Sequence, residues 1–300
     1  MDLRVLRYFL AVAREENMTR AAEILHVTQP TLSKQLKALE EELGKTLFLR
    51  HAFCIELTEE GQLLRKRAED LVDMADKITN EFSTMDDITG GDLYFGLAES
   101  YQIGFLAQEI KRFKIKYPNL HYHITSGGTE QVIERLDKGL LDFAVIVETP
   151  DYKKYNVLEF PKTDKWGAVV PKHHPLAAKK VICVDDLIGL PIFVSEQSWN
   201  ADIPRWAGPK MKDLRPEGFF QLAYNGAIFA KEGWGVLLTL DHLVNTSSES
   251  ALAFIPLSPP LENKMYLVWK KYQIFSPIAE KFLTEIQIAF HDRTYENGYV

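Results

Sequence analysis

Cysteine is scarce in this chain: Cys54 and Cys183 are the only two in 300 residues. They lie far apart and lack the close paired spacing of a zinc site, which excludes a disulfide framework or a cysteine-based metal cluster and predicts two buried thiols. Long apolar runs are missing too, with no stretch of about 18 residues able to span a bilayer. The opening "MDLRVLRYFLAVAREEN" carries charge on both sides of an amphipathic pattern and has no signal-peptide core, so the expected compartment is the cytoplasm. Basic charge is not in excess: 35 Lys and Arg face 42 Asp and Glu, a net −7 that taken alone argues against a polyanionic partner. The phosphate loop G-x-x-x-x-G-K-[ST], the nucleophile elbow G-x-S-x-G and any nucleophile–base arrangement are absent. His121 with His123, and His173 with His174, have no nearby cysteine or carboxylate motif and are expected to be surface or packing residues. No catalytic residue, metal or cofactor is therefore expected. What remains is a chain 46% hydrophobic, long enough for two or three globular units.

In the first sixty positions Leu3, Leu6, Leu10 and Ala13 recur at helical spacing, with Arg4, Arg7 and Arg14 between them, which predicts a first helix ending near Asn17. A short second helix follows, with Thr19 as its capping candidate and the small Ala21 and Ala22 allowing another helix to approach. After "HVT", Thr28 is the next N-cap candidate and Pro30 falls in the first turn, where its missing N–H has no intrahelical partner to lose. Gly44 suits the end of that helix. "KTLFLRHAFCIELTEEG" then predicts two short strands, Leu47 to Arg50 and Cys54 to Leu57, around a turn at His51 and Ala52. Helix, helix, turn, helix, hairpin is the order of a winged helix-turn-helix.

From Glu59 to Met85 glycine occurs only as Gly61 and proline not at all, while Leu64, Ala68, Leu71, Ala75, Ile78, Phe82 and Met85 recur at alternating steps of four and three. That heptad seam has no obvious intramolecular core and predicts a long linker helix pairing with its copy. "DDITGGD", Asp86 to Asp92, marks a hinge. Beyond it strands alternate with helices: "LYFGLA", Ile103 to Tyr117, "LHYHIT", Thr129 to Lys138 and "FAVIV" predict parallel βαβ units. A second set starts near Lys165 with "WGAVVP", "LPIFVS" and a helix opening near Asn225. "KMYLVWK" and an amphipathic helix from Pro277 to Phe290 are expected to rejoin the first lobe.

These pieces together resemble the LysR-type transcriptional regulators over essentially the whole length. The resemblance is carried by "LRYFLAVAREENMTRAAEILHVTQPTLSKQLKALEEELGKTLFLR" and "LTEEG", then by "YPNL", "LDKGLLDFAV", "VVPKHHPLA" and "EGWGVLL". It implies an all-α winged helix-turn-helix domain over 1–58, a linker helix and hinge over 59–88, and a two-lobed α/β effector domain like a periplasmic binding protein over 89–300. Lobe I would take about 89–162 and 267–300, and lobe II about 163–266. The implied partners are double-stranded promoter DNA with a pseudo-palindromic site, a small-molecule effector, RNA polymerase, and further copies of the chain in a dimer or tetramer.

A major groove admits a helix whose leading residues reach base edges while flanking groups hold phosphates. On the helix after Thr28 those residues are Gln29, Thr31, Ser33 and Lys34, with Thr19, Arg20, Lys37 and Arg50 placed for the backbone. The wing "HAFCIE" replaces the family's glycine- and arginine-rich turn. Residues 1–58 carry Arg4, Arg7, Arg14, Arg20, Lys34, Lys37, Lys45 and Arg50 against Asp2, Glu15, Glu16, Glu23, Glu40, Glu41, Glu42 and Glu56, so the module is formally neutral. Affinity must come from local placement, and salt dependence should be shallower than in a basic-winged relative.

In the α/β half, "LAESYQ" and "SGGTEQ" each follow a predicted strand and open a helix, which presents free N–H groups and the positive end of a helix dipole to an anion. Ser100 and Thr129 add hydroxyls that match the family's habitual contacts to an acidic inducer, and Gly127 and Gly128 permit close approach. Ser195, Gln197 and Trp199 are the candidates across the cleft, with Asn225 capping the opposing helix. The alternatives are an α/β enzyme, which the missing motifs disfavour, and a plain solute-binding protein, which the winged module disfavours.

Overall fold

The structure, a computed structural model, describes residues 1–51, 54–85, 89–147 and 149–296. Ala52 and Phe53 of the wing, the side chain of Arg50 and residues 86–88 of the expected hinge lie outside the described residues. The chain divides into two compact units, Met1–Ser83 and Thr84–Val300.

The first unit contains α1 (Leu3–Glu15), α2 (Met18–Ile24), α3 (Gln29–Leu43), β1 (Phe48–Arg50), β2 (Ile55–Leu57) and α4 (Glu59–Thr84). Asp2 Oδ1 accepts from Arg4 N at 2.8 Å and starts α1. Its buried face is Val5, Leu6, Phe9, Val12 and Ala13, while Leu3 is exposed. Glu16, at φ +50°, ends the helix one turn-residue before the expected Asn17. Asn17 instead caps α2, its Oδ1 accepting from Thr19 N and Arg20 N, both at 3.0 Å. Thr19 is therefore capped and is not the cap. Thr28 Oγ1 accepts from Thr31 N at 3.4 Å with Pro30 in the first turn, and Gly44 at φ +64° closes α3. The antiparallel hairpin pairs Phe48 with Leu57 and Arg50 with Ile55. Its first strand starts at Phe48, one residue after the expected Leu47, whose N–H is taken by Glu40 Oε1 at 2.7 Å.

Thr58 joins the hairpin to α4: its Oγ1 accepts from Gly61 N at 2.9 Å and donates to Thr46 O at 2.8 Å. A Cβ on Gly61 would lie 2.2 Å from the Leu47 carbonyl oxygen, so the helix can approach only because that residue has no side chain. Gly61→Ala is expected to destabilise the module by about 1–3 kcal/mol despite alanine's better helix propensity, read from denaturant unfolding. Part of the predicted seam has an intramolecular partner, contrary to expectation. Ala68 is fully buried in the core formed by α1 to α3, Leu64 and Val72 pack against it, and Arg7 holds Asp76 through two hydrogen bonds of 2.5 and 3.1 Å. Leu71, Ile78, Phe82 and Met85 stay exposed and Ala75 half-buried.

The second unit runs β3 (Gly90–Leu97), α5 (Ile103–Lys116), β4 (Asn119–Ser126), α6 (Thr129–Asp137), β5 (Phe143–Ile146), β6 (Tyr155–Glu159), β7 (Asp164–Pro171), β8 (Pro191–Ser195), α7 (Glu196–Asn200), α8 (Asp202–Ala207), β9 (Arg215–Phe220), α9 (Ala223–Lys231), β10 (Val236–Leu240), β11 (Leu252–Pro256), β12 (Glu262–Asn263), β13 (Tyr266–Lys270) and α10 (Pro277–Glu296). One sheet has the order β4-β3-β5-β13-β6, with β3 parallel to β4 and β5 as the crossover helices require. The other has the order β11-β7-β10-β8-β9, with β12 on β7. The chain passes from the first sheet to the second between β6 and β7 and returns between β12 and β13.

Each sheet has its own core. In lobe I the ring of Phe282 from α10 sits 5.3–5.5 Å, centroid to centroid, from Phe95, Phe113 and Phe143, so the last helix belongs to the first lobe. Lobe II is built around Ile192, Val194, Trp206, Leu238 and Ile255. The cysteines depart from expectation: Cys54 is half-buried just before β2, and Cys183 is exposed just before a short 3-10 turn at Val184–Asp186.

Candidate nucleic-acid interface and effector cleft

Leu32, Leu36 and Leu39 turn one face of α3 into the core. Helical spacing then leaves Gln29, Thr31, Lys34 and Lys37 exposed and Ser33 half-buried on the other side. Lys34 has no ion-pair partner among the described residues, whereas Lys37 lies 3.7 Å from Glu41 and Arg20 lies 3.9 Å from Glu15. The Thr31 hydroxyl shares a 2.8 Å hydrogen bond with Thr28, which fixes its direction. No acidic residue occurs from Gln29 to Leu39, and Glu40 is drawn onto the backbone of Leu47 and Phe48. The leading half of α3 is thus locally cationic in a module without net charge. Thr19 and Arg20 are exposed at the start of α2.

In the second unit a cleft of about 930 Å³ opens between the two sheets. Gly127, Gly128 and Thr129 line it from the start of α6, and Ser195 and Gln197 from the end of β8 and α7. Gln197 crosses the cleft: Thr129 N donates to its Oε1, and its Nε2 donates to Thr129 Oγ1, both at 3.3 Å. Gly128 N donates to Gln131 Oε1, also at 3.3 Å. A second crossing runs from Glu99, whose Oε2 accepts from Ala223 N at 2.8 Å at the start of α9. The starts of α6 and α9 are therefore each held by a side-chain oxygen of the chain itself.

Three expected contacts fall elsewhere. Ser100 does not line the cleft; its buried hydroxyl donates to the Asp164 carboxylate and accepts from Gln102 N at 2.9 Å. Burial pushes the Asp164 carboxyl above its ordinary range, and the Ser100 hydrogen bond opposes that shift. Trp199 turns into lobe II, its ring edge-on to Phe219 at 6.4 Å. Asn225 is exposed inside α9, which starts two residues earlier at Ala223 and has no side-chain cap, so it neither caps nor lines the cleft.

The residues missed are Glu99, Glu130, Asp151, Lys154, Trp166, Glu196 and Asn263, all of which line the cleft. Trp166 is 4% exposed, and its indole N–H has no hydrogen-bond partner. His123 pairs with Asp92 at 2.6 Å and stacks on Tyr94, and His174 caps a short turn. Among the described residues no group of three or more metal-ligating side chains occurs, and no helix is long and apolar enough to cross a membrane.

Residues 3–62 match the family model for the bacterial regulatory helix-turn-helix protein of the lysR family, and residues 88–290 match the LysR substrate binding domain. The chain belongs to the LysR family. It is a LysR-type DNA-binding transcriptional regulator with a substrate-binding domain, and the family is one of regulators, not enzymes. Among its relatives is the probable RuBisCO transcriptional regulator of Phaeodactylum tricornutum, 31% identical over 63% of this chain and 62% of that protein. The activator CmpR of Synechocystis is 25% identical over 94% of this chain and 93% of its own length. The crystal structure of full-length CbnR with its target DNA superposes with a TM-score of 0.73 at 19% identity, over 96% of this chain and all of that one, which shows a shared LysR fold.

Proposed function

We propose that this LysR family member acts in the cytoplasm as a dimer or tetramer whose promoter binding is modulated by a small molecule carrying an anionic group, held in the interlobe cleft. The observation that carries this reading is the start of α6. Its backbone N–H groups and Thr129 face a cavity large enough for a metabolite, yet they hold only neutral amide oxygens at 3.3 Å. A carboxylate there meets the same donors with full charge and the helix dipole behind them. Displacing Gln197 breaks one crossing between the lobes, which gives the ligand different affinities for two lobe arrangements, as effector control requires.

On the DNA side the leading end of α3, with Gln29, Thr31, Ser33 and Lys34, enters the major groove, and Thr19, Arg20, Lys37 and Arg50 hold the backbone. Leu71, Ile78 and Phe82 form the seam between copies, since they are the seam positions left exposed on α4. RNA polymerase is the partner through which a promoter-bound complex of this kind acts.

A thermal-shift screen of small carboxylates on the full chain, followed by operator titrations with and without the acid that binds, tests the effector reading. Thr129→Ala combined with Gln197→Ala is expected to abolish the response to that acid while operator binding persists. A double variant that answered the acid like the parent chain would end the assignment.

A further inference from the structure

The contacts that join the two lobes are unequal. At the end of β3 four consecutive residues of lobe I all reach lobe II. Glu99 Oε2 accepts from Ala223 N at 2.8 Å, and the buried Ser100 hydroxyl donates to the Asp164 carboxylate. The Tyr101 ring lies 4.5 Å from that of His242, and Gln102 Nε2 donates to Thr163 O at 3.4 Å. Three of these four contacts sit where the chain passes between the lobes. Thr163 and Asp164 end the first crossover, and Asp164 is paired in register with Asn263 at the second. His242 follows Asp241, whose N–H donates to Lys165 O at 2.8 Å. The crossovers are themselves joined by Phe160 N, which donates to Met265 O at 2.9 Å.

The Thr129–Gln197 contact is remote from this axis. Thr129 follows β4, which lies three strands from the crossover strand β13 in the order β4-β3-β5-β13, and Gln197 follows β8, two strands from β7. At about 4.8 Å per strand, β4 stands roughly 14 Å from β13. The contact consists of two hydrogen bonds of 3.3 Å, one of them to a neutral amide oxygen. When one lobe rotates against the other, groups move in proportion to their distance from the axis. Contacts on the crossovers survive such a rotation, and a contact three strands away breaks first.

We propose that the Glu99–Gln102 turn is the pivot of the effector domain, and that the Thr129–Gln197 contact is a latch that opens while the pivot stays closed. Ser100 then serves lobe movement and not ligand contact: its hydroxyl is taken by Asp164, and it lies outside the cleft lining. Movement of the lobes is confined to one direction, with the cleft widening at the starts of α6 and α7.

Hydrogen exchange of the ligand-free full chain, read by mass spectrometry, reports both contacts. The Thr129 N–H reports the latch, and the Ala223 and Asp241 N–H groups report the pivot side. In the parent chain the amides around Thr129 are expected to exchange faster, relative to their unstructured rates, than those around Ala223 and Asp241. Gln197→Ala should speed exchange around Thr129 by roughly fivefold, the scale of one net hydrogen bond, and leave the other two segments within about twofold of the parent. Ser100→Ala should speed all three, because a lost pivot frees the latch as well. Asp164→Asn keeps an oxygen that accepts from Ser100 and is expected to exchange like the parent, whereas Asp164→Leu is expected to behave like Ser100→Ala. A role in filling space alone would not separate those two.

Equal acceleration of all three segments in Gln197→Ala would mean that the lobes part as a whole, and would overturn the pivot. So would a Ser100→Ala effect confined to residues 100–102, an Asp164→Asn chain as loose as Asp164→Leu, or a parent chain whose pivot segments exchange as fast as its latch. The parent and Gln197→Ala measurements change no buried residue, so they decide the question even if a substitution at Ser100 or Asp164 prevents folding, which melting temperatures report. All readings are taken without ligand. The effector reading stands or falls separately, on the carboxylate screen.

Discussion

Replacing Ser33 and Lys34 together by alanine is expected to weaken operator binding by roughly 1–3 kcal/mol, about 5- to 150-fold in Kd, if the pair makes one base-edge or charged contact in the groove. The effect should be this large because the module has no surplus of positive charge to compensate. Residues 1–58 sum to zero, Arg20 and Lys37 each lie within 4 Å of a glutamate, and Lys34 is the α3 cation without an ion-pair partner among the described residues. Lys34 also stands where α3 has no acidic neighbour, since Glu40 is held by the backbone at Leu47 and Phe48. Ser33 is half-buried, so its exchange also probes how closely the helix can approach the base edges. The measurement is anisotropy titration of the full chain, at one salt concentration, on a promoter fragment and on an unrelated duplex. Loss on the promoter fragment with little change on the unrelated one assigns the pair to sequence readout. Equal loss on both assigns it to phosphate contact, and unchanged binding removes it from the interface.

Phe282→Ala is expected to cost about 3–5 kcal/mol in the second unit, the range for deleting a buried aromatic ring. The ring is 1% exposed and lies among Phe95, Phe113 and Phe143, which come from β3, α5 and β5. No neighbour can close such a gap without leaving its rotamer, so the cavity persists and the loss is large. Because Phe282 comes from the last helix, the same measurement tests whether the C-terminal segment is integral to lobe I. Unfolding followed by tryptophan fluorescence should show the transition of this unit move to lower denaturant, and a shift below about 1 kcal/mol would mean that α10 can leave without disturbing the sheet.

Much of the first unit was legible because its signals are local. Thr28 and Pro30 start α3, Gly44 stops it, and Leu32, Leu36 and Leu39 repeat at the helical period, each decided within a few residues along the chain. The same locality explains the error at α2. Asn17 and Thr19 are both good capping residues, and only the extended backbone at Asn17 shows which one reaches the free N–H groups. Gly61 was visible as a glycine, but its purpose depends on the carbonyl of Leu47, fourteen residues away. The seam was similarly half-legible: its period is written in α4, whereas Ala68 and Leu64 are claimed by the core of α1 to α3.

The cleft was less legible. Gly127, Gly128 and Thr129 could be placed because a strand followed by "SGGTEQ" announces a helix start, and Ser195 and Gln197 sit in the matching turn of lobe II. Ser100 follows an equivalent strand, but the chain crosses between lobes at Asp164 and puts that carboxylate against its hydroxyl. Trp199 and Asn225 were placed one helical turn or less from cleft-lining residues, and a helix rotates by about 100° per residue. Trp166, Glu130 and Glu196 had no motif to announce them. Only the folding of the two lobes brings them to one cavity.

By itself the sequence determined that the chain has a winged helix-turn-helix, a long helix and a two-lobed α/β domain, because caps, periods and turn residues act over a few positions and name their elements directly. Tertiary structure alone decided which side chains share the cleft and which of them are already occupied. Those relations join residues on different strands and lobes, and no local pattern encodes a distance between them.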